Sequence, residues 1–92
     1  MAIISFRHKG LQELFEKGRS AKIGARYVKN ALLILEFLDY AVSPDDLKGF
    51  KDFHELKGER KGTYSTHVTG NYCITFRWKY EDACDVNFED YH

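Results

Sequence analysis

The sequence has few of the features that mark a secreted, membrane-bound or multidomain protein. It contains one proline and two cysteines in 92 residues, so neither a proline-rich linker nor a disulfide framework is indicated. The longest apolar run, Ala31–Leu35, is far shorter than the ~20 residues of a membrane span. The N-terminus lacks the basic-then-apolar order of a signal peptide. We therefore expect a single cytoplasmic domain over residues 1–92, with no membrane contact and with a shallow surface cleft as any active site.

The formal net charge at pH 7 is zero, but the charged residues are unevenly distributed along the chain. Residues 7–29 carry seven Lys or Arg against two Glu, whereas residues 63–92 carry two Lys or Arg against five Asp or Glu. A basic N-terminal half is typical of proteins that bind a polyanion, but a solvated helix surface explains it equally well. Charge alone leaves both interpretations open.

The two cysteines are predicted to be free thiols. In a hairpin that turns near Glu81, Cys73 lies opposite about Glu89. Cys84 then lies opposite about Trp78. The two cysteines are therefore separated by roughly five residues along the ladder, or about 17 Å at ~3.3 Å per residue. A disulfide needs Cα atoms within ~7 Å. Free thiols are consistent with a reducing compartment.

Two helices are predicted in the N-terminal half. Lys9–Lys17 has one apolar face and stops at Gly18, a residue that favours the left-handed helix C-cap. Ala25–Tyr40 has a continuous apolar stripe, and a second apolar face beside it. The stripe consists of Val28, Ala31, Leu32, Leu35 and Leu38, and the second face of Leu33, Ile34 and Phe37. Such a helix is either deeply buried or keeps one side for a partner. Residues 43–46 are predicted to form a turn or a short helical segment.

After residue 50 the apolar period changes from ~3.6 to ~2, which predicts strands. Strands are expected at residues 51–55, 63–69, 72–79 and 83–88, with a further short strand at 2–6. Turns are expected at Gly70–Asn71 and at residues 80–82.

The strongest strand has an aromatic and a polar face. Alternation places Tyr72, Ile74, Phe76 and Trp78 on the first, and Cys73, Thr75, Arg77 and Lys79 on the second. We predict an α+β fold in which the two helices pack on the aromatic face of a small, mainly antiparallel twisted sheet. The polar face is then left for a ligand.

The general catalytic motifs are missing. There is no glycine-rich phosphate loop, no CxxC or HExxH spacing and no nucleophile elbow, and the four histidines are scattered, so neither a metal nor a cofactor is predicted. A basic and aromatic set remains: His54, Lys57, Arg60, Lys61, Arg77, Asp90, Tyr91 and His92.

This set suits metal-free RNA cleavage, which needs a base, an acid and cations to stabilise charge on phosphorus. Each residue also fits an ordinary edge strand, turn or chain terminus. The residues alone therefore indicate no more than a small α+β domain suited to RNA binding.

Three ordered segments resemble the HigB toxins of the RelE/ParE superfamily. They are His54–Gly62 (H-x-L-K-G-x-R-x-G), Gly70–Phe76 (G-N-[WY]-R-[IL]-T-F) and the terminal Glu89–His92. Residues 6–18 are similar as well, so the resemblance covers nearly the whole chain. It implies a RelE-like microbial ribonuclease fold and the toxin of a type II toxin–antitoxin system. The expected activity is that of a ribosome-dependent, metal-free endoribonuclease that cleaves messenger RNA in the ribosomal A site and so inhibits translation.

The resemblance also implies partners. These are the 70S ribosome with its ribosomal RNA, messenger RNA, and a helix-turn-helix antitoxin of the HigA type. Operator DNA would be bound only through that antitoxin.

Site residues follow from the resemblance position by position. The acid/base set falls on His54, Asp90, Tyr91 and His92, with Tyr91 in contact with the substrate, and which histidine is the base stays open. The substrate-binding set falls on Lys57, Arg60, Arg77 and Cys73. Ribosomal RNA would be contacted by Lys9, Lys17, Lys22 and Arg26, consistent with the basic N-terminal half.

Position 73 departs from the family pattern. The family usually has an arginine there, which supports the transferring phosphate, and a cysteine supplies no fixed positive charge. Three explanations stay open: Arg77 or Lys57 substitutes for it, the toxin is weak, or it is disabled. Cys73→Arg should raise cleavage, and no gain would mean that another cation already fills the role.

Two other functions remain as alternatives. A ParE-like inhibitor of DNA gyrase uses a similar scaffold without being a nuclease, but it has no reason to carry His54 and the terminal residues 90–92. A catalytically inactive homologue that only binds antitoxin or ribosome is kept open by Cys73.

Overall fold

The computed structural model describes residues 3–90, apart from the side chain of Pro44. The regular elements are two helices, α1 (Lys9–Lys17) and α2 (Ala25–Tyr40), followed by four strands, β1 (His54–Glu55), β2 (Thr63–Thr69), β3 (Tyr72–Lys79) and β4 (Asp82–Asp90). Short 3₁₀ helices lie at Pro44–Leu47 and Gly58–Arg60. The short helical segment predicted near residues 43–46 is thus confirmed.

Helix α1 is fixed by local caps at both ends. The backbone N–H of Leu11 donates to His8 Nδ1 at 3.2 Å, and Gly18, at φ 78, donates its N–H to the Leu14 carbonyl oxygen. In the first turn a Cβ on Gly10 would lie 2.8 Å from the His8 ring and from Lys22. Glycine is therefore required for the close approach of the loop that leads into α2.

Helix α2 is buried along one side only. Its predicted stripe faces the core, and Ile34 from the second apolar face is also fully buried. Leu33 and Phe37 remain 44% and 39% exposed. The Phe37 ring stacks on that of Phe50, with centroids 4.1 Å apart. The second apolar face is thus divided between core and surface.

The four strands form one antiparallel sheet in the order β1-β2-β3-β4. Beyond β4, the N-terminal segment adds two isolated parallel bridges, from Ile3 to Ala83 and from Phe6 to Val86. The mainly antiparallel α+β prediction is confirmed. The predicted strand at residues 2–6 is wrong in its described part, since residues 3–6 form single bridges and no continuous ladder.

The core lies between the helices and the aromatic face of the sheet, as predicted. Ile74 and Phe76 of β3 are fully buried against residues of α1 and α2, among them Leu14, Leu35 and Leu38. Burial of these side chains provides most of the stabilisation that a chain of this size can obtain. Across residues 3–90, neither helix has the length and apolar character needed to cross a membrane.

Two details of the strand prediction are wrong. The strand expected at residues 51–55 is limited to His54–Glu55, because Lys51 and Asp52 adopt left-handed backbone conformations with φ 43 and 59. Cys84 pairs with Arg77 and not with Trp78. The reason is that only Tyr80 and Glu81 form the turn, so that Lys79 pairs with Asp82. Beyond Cys84 a bulge on β4, where Asp85 has φ 53, adds one residue opposite β3 and shifts the register to Thr75–Asn87.

The predictions for the hairpin and the thiols hold. Gly70, at φ 56, and Asn71 form a two-residue loop between Thr69 and Tyr72, with the positive φ at the first loop position that a type II′ turn requires. Cys73 lies directly opposite Glu89, and both cysteines are free.

Candidate functional site

The strand register collects polar side chains in rows on the face of the sheet opposite the helices. Residues paired across neighbouring strands point to the same face. The first row is His54, Ser65, Thr75 and Asn87, and the second is His67, Cys73 and Glu89. Residues that are far apart in sequence thus meet on one surface, which we call the polar face.

An ion pair crosses this polar face. Arg60, from the 3₁₀ turn before β2, donates to both carboxylate oxygens of Glu89 on β4, at 2.9 and 2.7 Å. The Thr75 hydroxyl, on β3 between them, donates to the same Glu89 carboxylate. The hydrogen bonds from Arg60 hold the pKa of Glu89 below its ordinary value. The same bonds raise the pKa of Arg60, so both groups are charged at neutral pH.

His54 lies at the exposed edge of this face. Its Nδ1 is 2.8 Å from the carbonyl oxygen of Asp52. A carbonyl oxygen can only accept, so Nδ1 carries the proton and, in the neutral ring, Nε2 has a free lone pair. The left-handed conformation of Asp52 aims this carbonyl. The local backbone therefore selects the tautomer that can act as a base through Nε2.

A small cleft of ≈ 40 Å³ adjoins His54. It is lined by Asp52, His54, Ser65, His67, Cys73 and the turn at residues 70–72. Of the predicted site residues, His54 and Cys73 are thus brought together. His67 was not predicted to belong to the site. It lies with them because it pairs with Cys73 across β2 and β3.

Cys73 is on the polar face but is closed off from solvent. Its side chain is 4% exposed. Burial raises the pKa of the thiol, and the hydrogen bond with Ser65 opposes that rise without cancelling it. At neutral pH the side chain is an uncharged thiol, so it offers no charge to a phosphate.

A second cleft, of ≈ 220 Å³, lies further along the polar face and contains three guanidinium groups. Its lining residues are Arg7, Glu59, Arg60, Thr63, Thr75, Arg77 and Asp85. Arg60 and Arg77, both predicted to bind substrate, therefore meet here. Arg7 joins them because its backbone N–H donates to the Val86 carbonyl oxygen at 2.8 Å, which holds the N-terminal segment beside β4.

Comparison with known proteins assigns the family. Residues 4–92 match the HigB-like toxins, described as the RelE-like toxin of the type II toxin–antitoxin system HigB. The chain belongs to the HigB-like toxin family. It is 41% identical to Endoribonuclease HigB of Proteus vulgaris over 91 residues, which cover 98% of this chain and 99% of that protein. It is 31% identical to Toxin HigB-1 of Vibrio cholerae over 78 residues, which cover 82% of each chain.

Not every residue assigned by resemblance lies with His54 in this HigB-like toxin. Lys57 is exposed at the sheet edge, in a different depression formed with Glu55, Leu56, Gly58 and Lys61. Asp90 is exposed at the end of β4, in register with Tyr72. Because Tyr72 lines the first cleft, Asp90 lies near that cleft. Tyr91 and His92 lie outside the described residues.

The basic residues assigned to the ribosome lie in the helical layer of the toxin. Lys9, Lys17, Lys22 and Arg26 are exposed on α1, on the start of α2 and on the loop between them. The sheet separates this layer from the polar face. The structure therefore places His54, Arg60 and Arg77 on a different side of the molecule from the basic helices.

Sequence reasoning missed Glu89 and Arg7 as members of the site. A signal for Glu89 was available, because the predicted hairpin already placed it opposite Cys73 on the polar face. No such signal was available for Arg7. Its position depends on the parallel bridges of residues 3–6 to β4, and a local sequence pattern does not reveal such bridges. Within residues 3–90, no three His, Cys, Asp or Glu side chains form a group that could hold a metal ion.

Proposed function

We propose that this HigB-like toxin is an endoribonuclease that cleaves messenger RNA in the ribosomal A site. The observation that carries the proposal is the 41% identity, over 98% of the chain, to a protein named Endoribonuclease HigB. The polar face supports it, because several arginines share one open surface with a histidine whose Nε2 is unprotonated in the neutral ring. Such a surface suits an extended RNA strand better than a small molecule.

The proposed reaction is an internal transfer of a phosphodiester. A base removes the proton of the ribose 2′-hydroxyl, and this oxygen attacks the adjacent phosphorus. An acid then protonates the 5′-oxygen that leaves, which gives a 2′,3′-cyclic phosphate and a free 5′-hydroxyl. We assign these proton transfers to His54, Asp90 and His92, and substrate contact to Tyr91. Guanidinium groups stabilise the charge that develops on phosphorus.

The partners follow from the same proposal. As a toxin of a type II system, the chain has an antitoxin partner. We propose that this antitoxin is of the helix-turn-helix HigA type and that operator DNA is bound only through it. Lys9, Lys17, Lys22 and Arg26 are proposed to contact ribosomal RNA. The ribosome as target places the toxin in the cytoplasm.

Primer extension on a defined messenger RNA tests the proposal. The RNA is incubated with the toxin alone, with programmed bacterial ribosomes, and with ribosomes plus the His54→Ala or His92→Ala protein. We expect cuts only with ribosomes, in phase with the A-site codon, and a loss of at least ~10²-fold in each variant. Glu81→Gln, in the exposed β3–β4 turn, is the control. Cuts without ribosomes, or no cuts at all, would refute the proposal.

A tag tests the terminal residue separately. Because His92 is proposed to transfer a proton, a tag joined directly after His92 should lower cleavage more than a tag joined before Met1. Equal activity of the two tagged proteins would argue against a catalytic role for His92.

A further inference from the structure

The Arg60–Glu89 pair has more ordered partners than an ordinary surface ion pair. Both guanidinium bonds are short, at 2.9 and 2.7 Å. The same carboxylate accepts from Thr75 and is also hydrogen-bonded by Asn87. Glu89 is therefore held by side chains from β3, from β4 and from the turn before β2, although Arg60 is 29 residues away in sequence.

The pair lies over the middle of the polar face. Glu89 is directly opposite Cys73, and Thr75 is in the row that begins with His54. The backbone of Arg60 lies beside β2, and its guanidinium group binds Glu89 on β4. Strands β2 and β4 are two strand spacings, or about 10 Å, apart. The two side chains must therefore meet above β3. The charge of Arg60 accordingly acts on the Cys73 thiol.

Stability alone does not account for so many partners. The side chains of Arg60 and Glu89 are 46% and 23% exposed, and ion pairs this exposed contribute little to folding. A guanidinium has five N–H donors, and Glu89 uses two of them. Among residues 3–90 no further acceptor is bound to Arg60, so three N–H donors can reach a phosphate. The bidentate pair fixes the plane in which these donors lie.

We propose that Arg60 supplies the fixed positive charge at the centre of the site, which Cys73 cannot supply, and that Glu89 is a positioning residue that orients the Arg60 guanidinium toward the substrate phosphate. This inference rests on the proposed function. Of the cations that could replace an arginine at position 73, this inference selects Arg60, whose side chain reaches over β3 from the turn before β2. Glu89 acts through Arg60 and does not itself touch the reacting atoms.

A double-mutant cycle tests the positioning role. Single-turnover cleavage on programmed ribosomes is measured for Arg60→Gln, Glu89→Gln and the double variant. Arg60→Gln should lower the rate constant by roughly 10²–10³-fold, and Glu89→Gln by roughly tenfold, with little change in the half-saturating ribosome concentration. The double variant should be no slower than Arg60→Gln, because Glu89 acts only through Arg60.

Matched controls are Lys48→Gln and Glu81→Gln, each of which removes one exposed charge outside the polar face. Thermal unfolding of every variant accompanies the rates. A double variant slowed by the product of the two single effects would overturn the positioning role. A loss of activity that follows the fall in unfolding midpoint would overturn it as well. Full activity of Arg60→Gln would overturn the role of Arg60 itself.

NMR of the arginine side chains gives a readout that is independent of cleavage. The bidentate pair should slow rotation about the Arg60 Nε–Cζ bond, and Glu89→Gln should abolish this slowing. Addition of a short RNA with 2′-O-methyl groups, which cannot be cleaved, should shift the Arg60 Nε–H resonance in the wild-type protein. If wild-type toxin cuts no RNA on ribosomes but shows both signatures, the proposed function fails and the positioning role stands. Fast rotation and no shift in an active toxin would refute only the positioning role.

Discussion

Cys73→Arg would place a second guanidinium on β3, directly opposite Glu89. In this toxin the Glu89 carboxylate already accepts two hydrogen bonds from Arg60, one from Thr75 and one from Asn87. An arginine at position 73 would have to share a carboxylate whose acceptor positions are already occupied. It would also replace the small Cys73 side chain, which is 4% exposed. We therefore expect Cys73→Arg to change the cleavage rate little when Arg60 is present and to raise it when Arg60 is removed.

The magnitudes follow from the roles of the two arginines. With Arg60 present, Cys73→Arg should change the cleavage rate by less than about threefold, since the charge it adds is already supplied. In the Arg60→Gln background, Glu89 is free to orient the new guanidinium. The rate should then recover at least tenfold, which corresponds to about 1.4 kcal/mol of transition-state stabilisation. Insertion of the longer side chain should cost roughly 1–3 kcal/mol of stability in both backgrounds.

Primer extension under single-turnover conditions measures the four rates, and urea unfolding shows that each variant is folded in the assay. Arg77→Gln in place of Arg60→Gln is the matched comparison, because Arg77 is the substitute suggested by the sequence. An equal rise in cleavage in both backgrounds would refute the reasoning, since it would show that no cation occupies the role in the wild-type toxin. Recovery in the Arg77→Gln background alone would assign the role to Arg77.

Three further predictions concern the scaffold. Thr66 is fully buried, and within residues 3–90 its hydroxyl has no hydrogen-bond partner. Thr66→Val should therefore raise the free energy of unfolding by about 1 kcal/mol in urea titrations. A decrease of that size would contradict the view that the hydroxyl is unsatisfied. His8→Ala should cost about 1 kcal/mol at pH 8 because it removes the N-cap of α1. Burial, and next the charge of Lys22, lowers the pKa of His8 from its ordinary 6.5. The contribution of the cap to the free energy of unfolding is therefore complete above about pH 6.5. It is lost as the pH falls through the lower pKa of the folded state. The difference between wild type and variant should therefore narrow in acid, and a widening would be contrary evidence. Lys51 has φ 43, so Lys51→Val should be less stable than Lys51→Gly by at least ~1 kcal/mol in thermal unfolding, whereas equal stability would exclude strain at this position.

The sequence was sufficient for features that depend on short-range periodicity. The stripe along residues 25–40 predicted which side of α2 is buried, because residues three and four apart share a helix face. Strict alternation in residues 72–79 separated an aromatic from a polar face. The two-residue loop at Gly70–Asn71 predicted the antiparallel hairpin of β2 and β3, although the register shifts by one residue between His67 and Thr69. Counting from the next turn placed Cys73 opposite Glu89.

The sequence also carried the family motifs, but it did not show how their side chains are arranged. Cys73 could be assigned to the polar face, whereas its burial depends on side chains that reach over it from other strands. The left-handed pair at Lys51 and Asp52 ended β1 early, because no residue pattern marks a non-glycine positive φ. The bulge at Asp85 was not predicted for the same reason, and it sets the register of the pairs beyond it, including Cys73 with Glu89.

Only the tertiary structure decided which cation stands at the centre of the candidate site. Local patterns specify the direction of each side chain relative to its own strand or helix. They do not specify the path of a turn, and the path of the turn at residues 58–62 is what brings Arg60 across two strands to Glu89. Contacts of this kind form between residues distant in sequence, after the strands have paired, so they depend on the whole fold and not on any one segment.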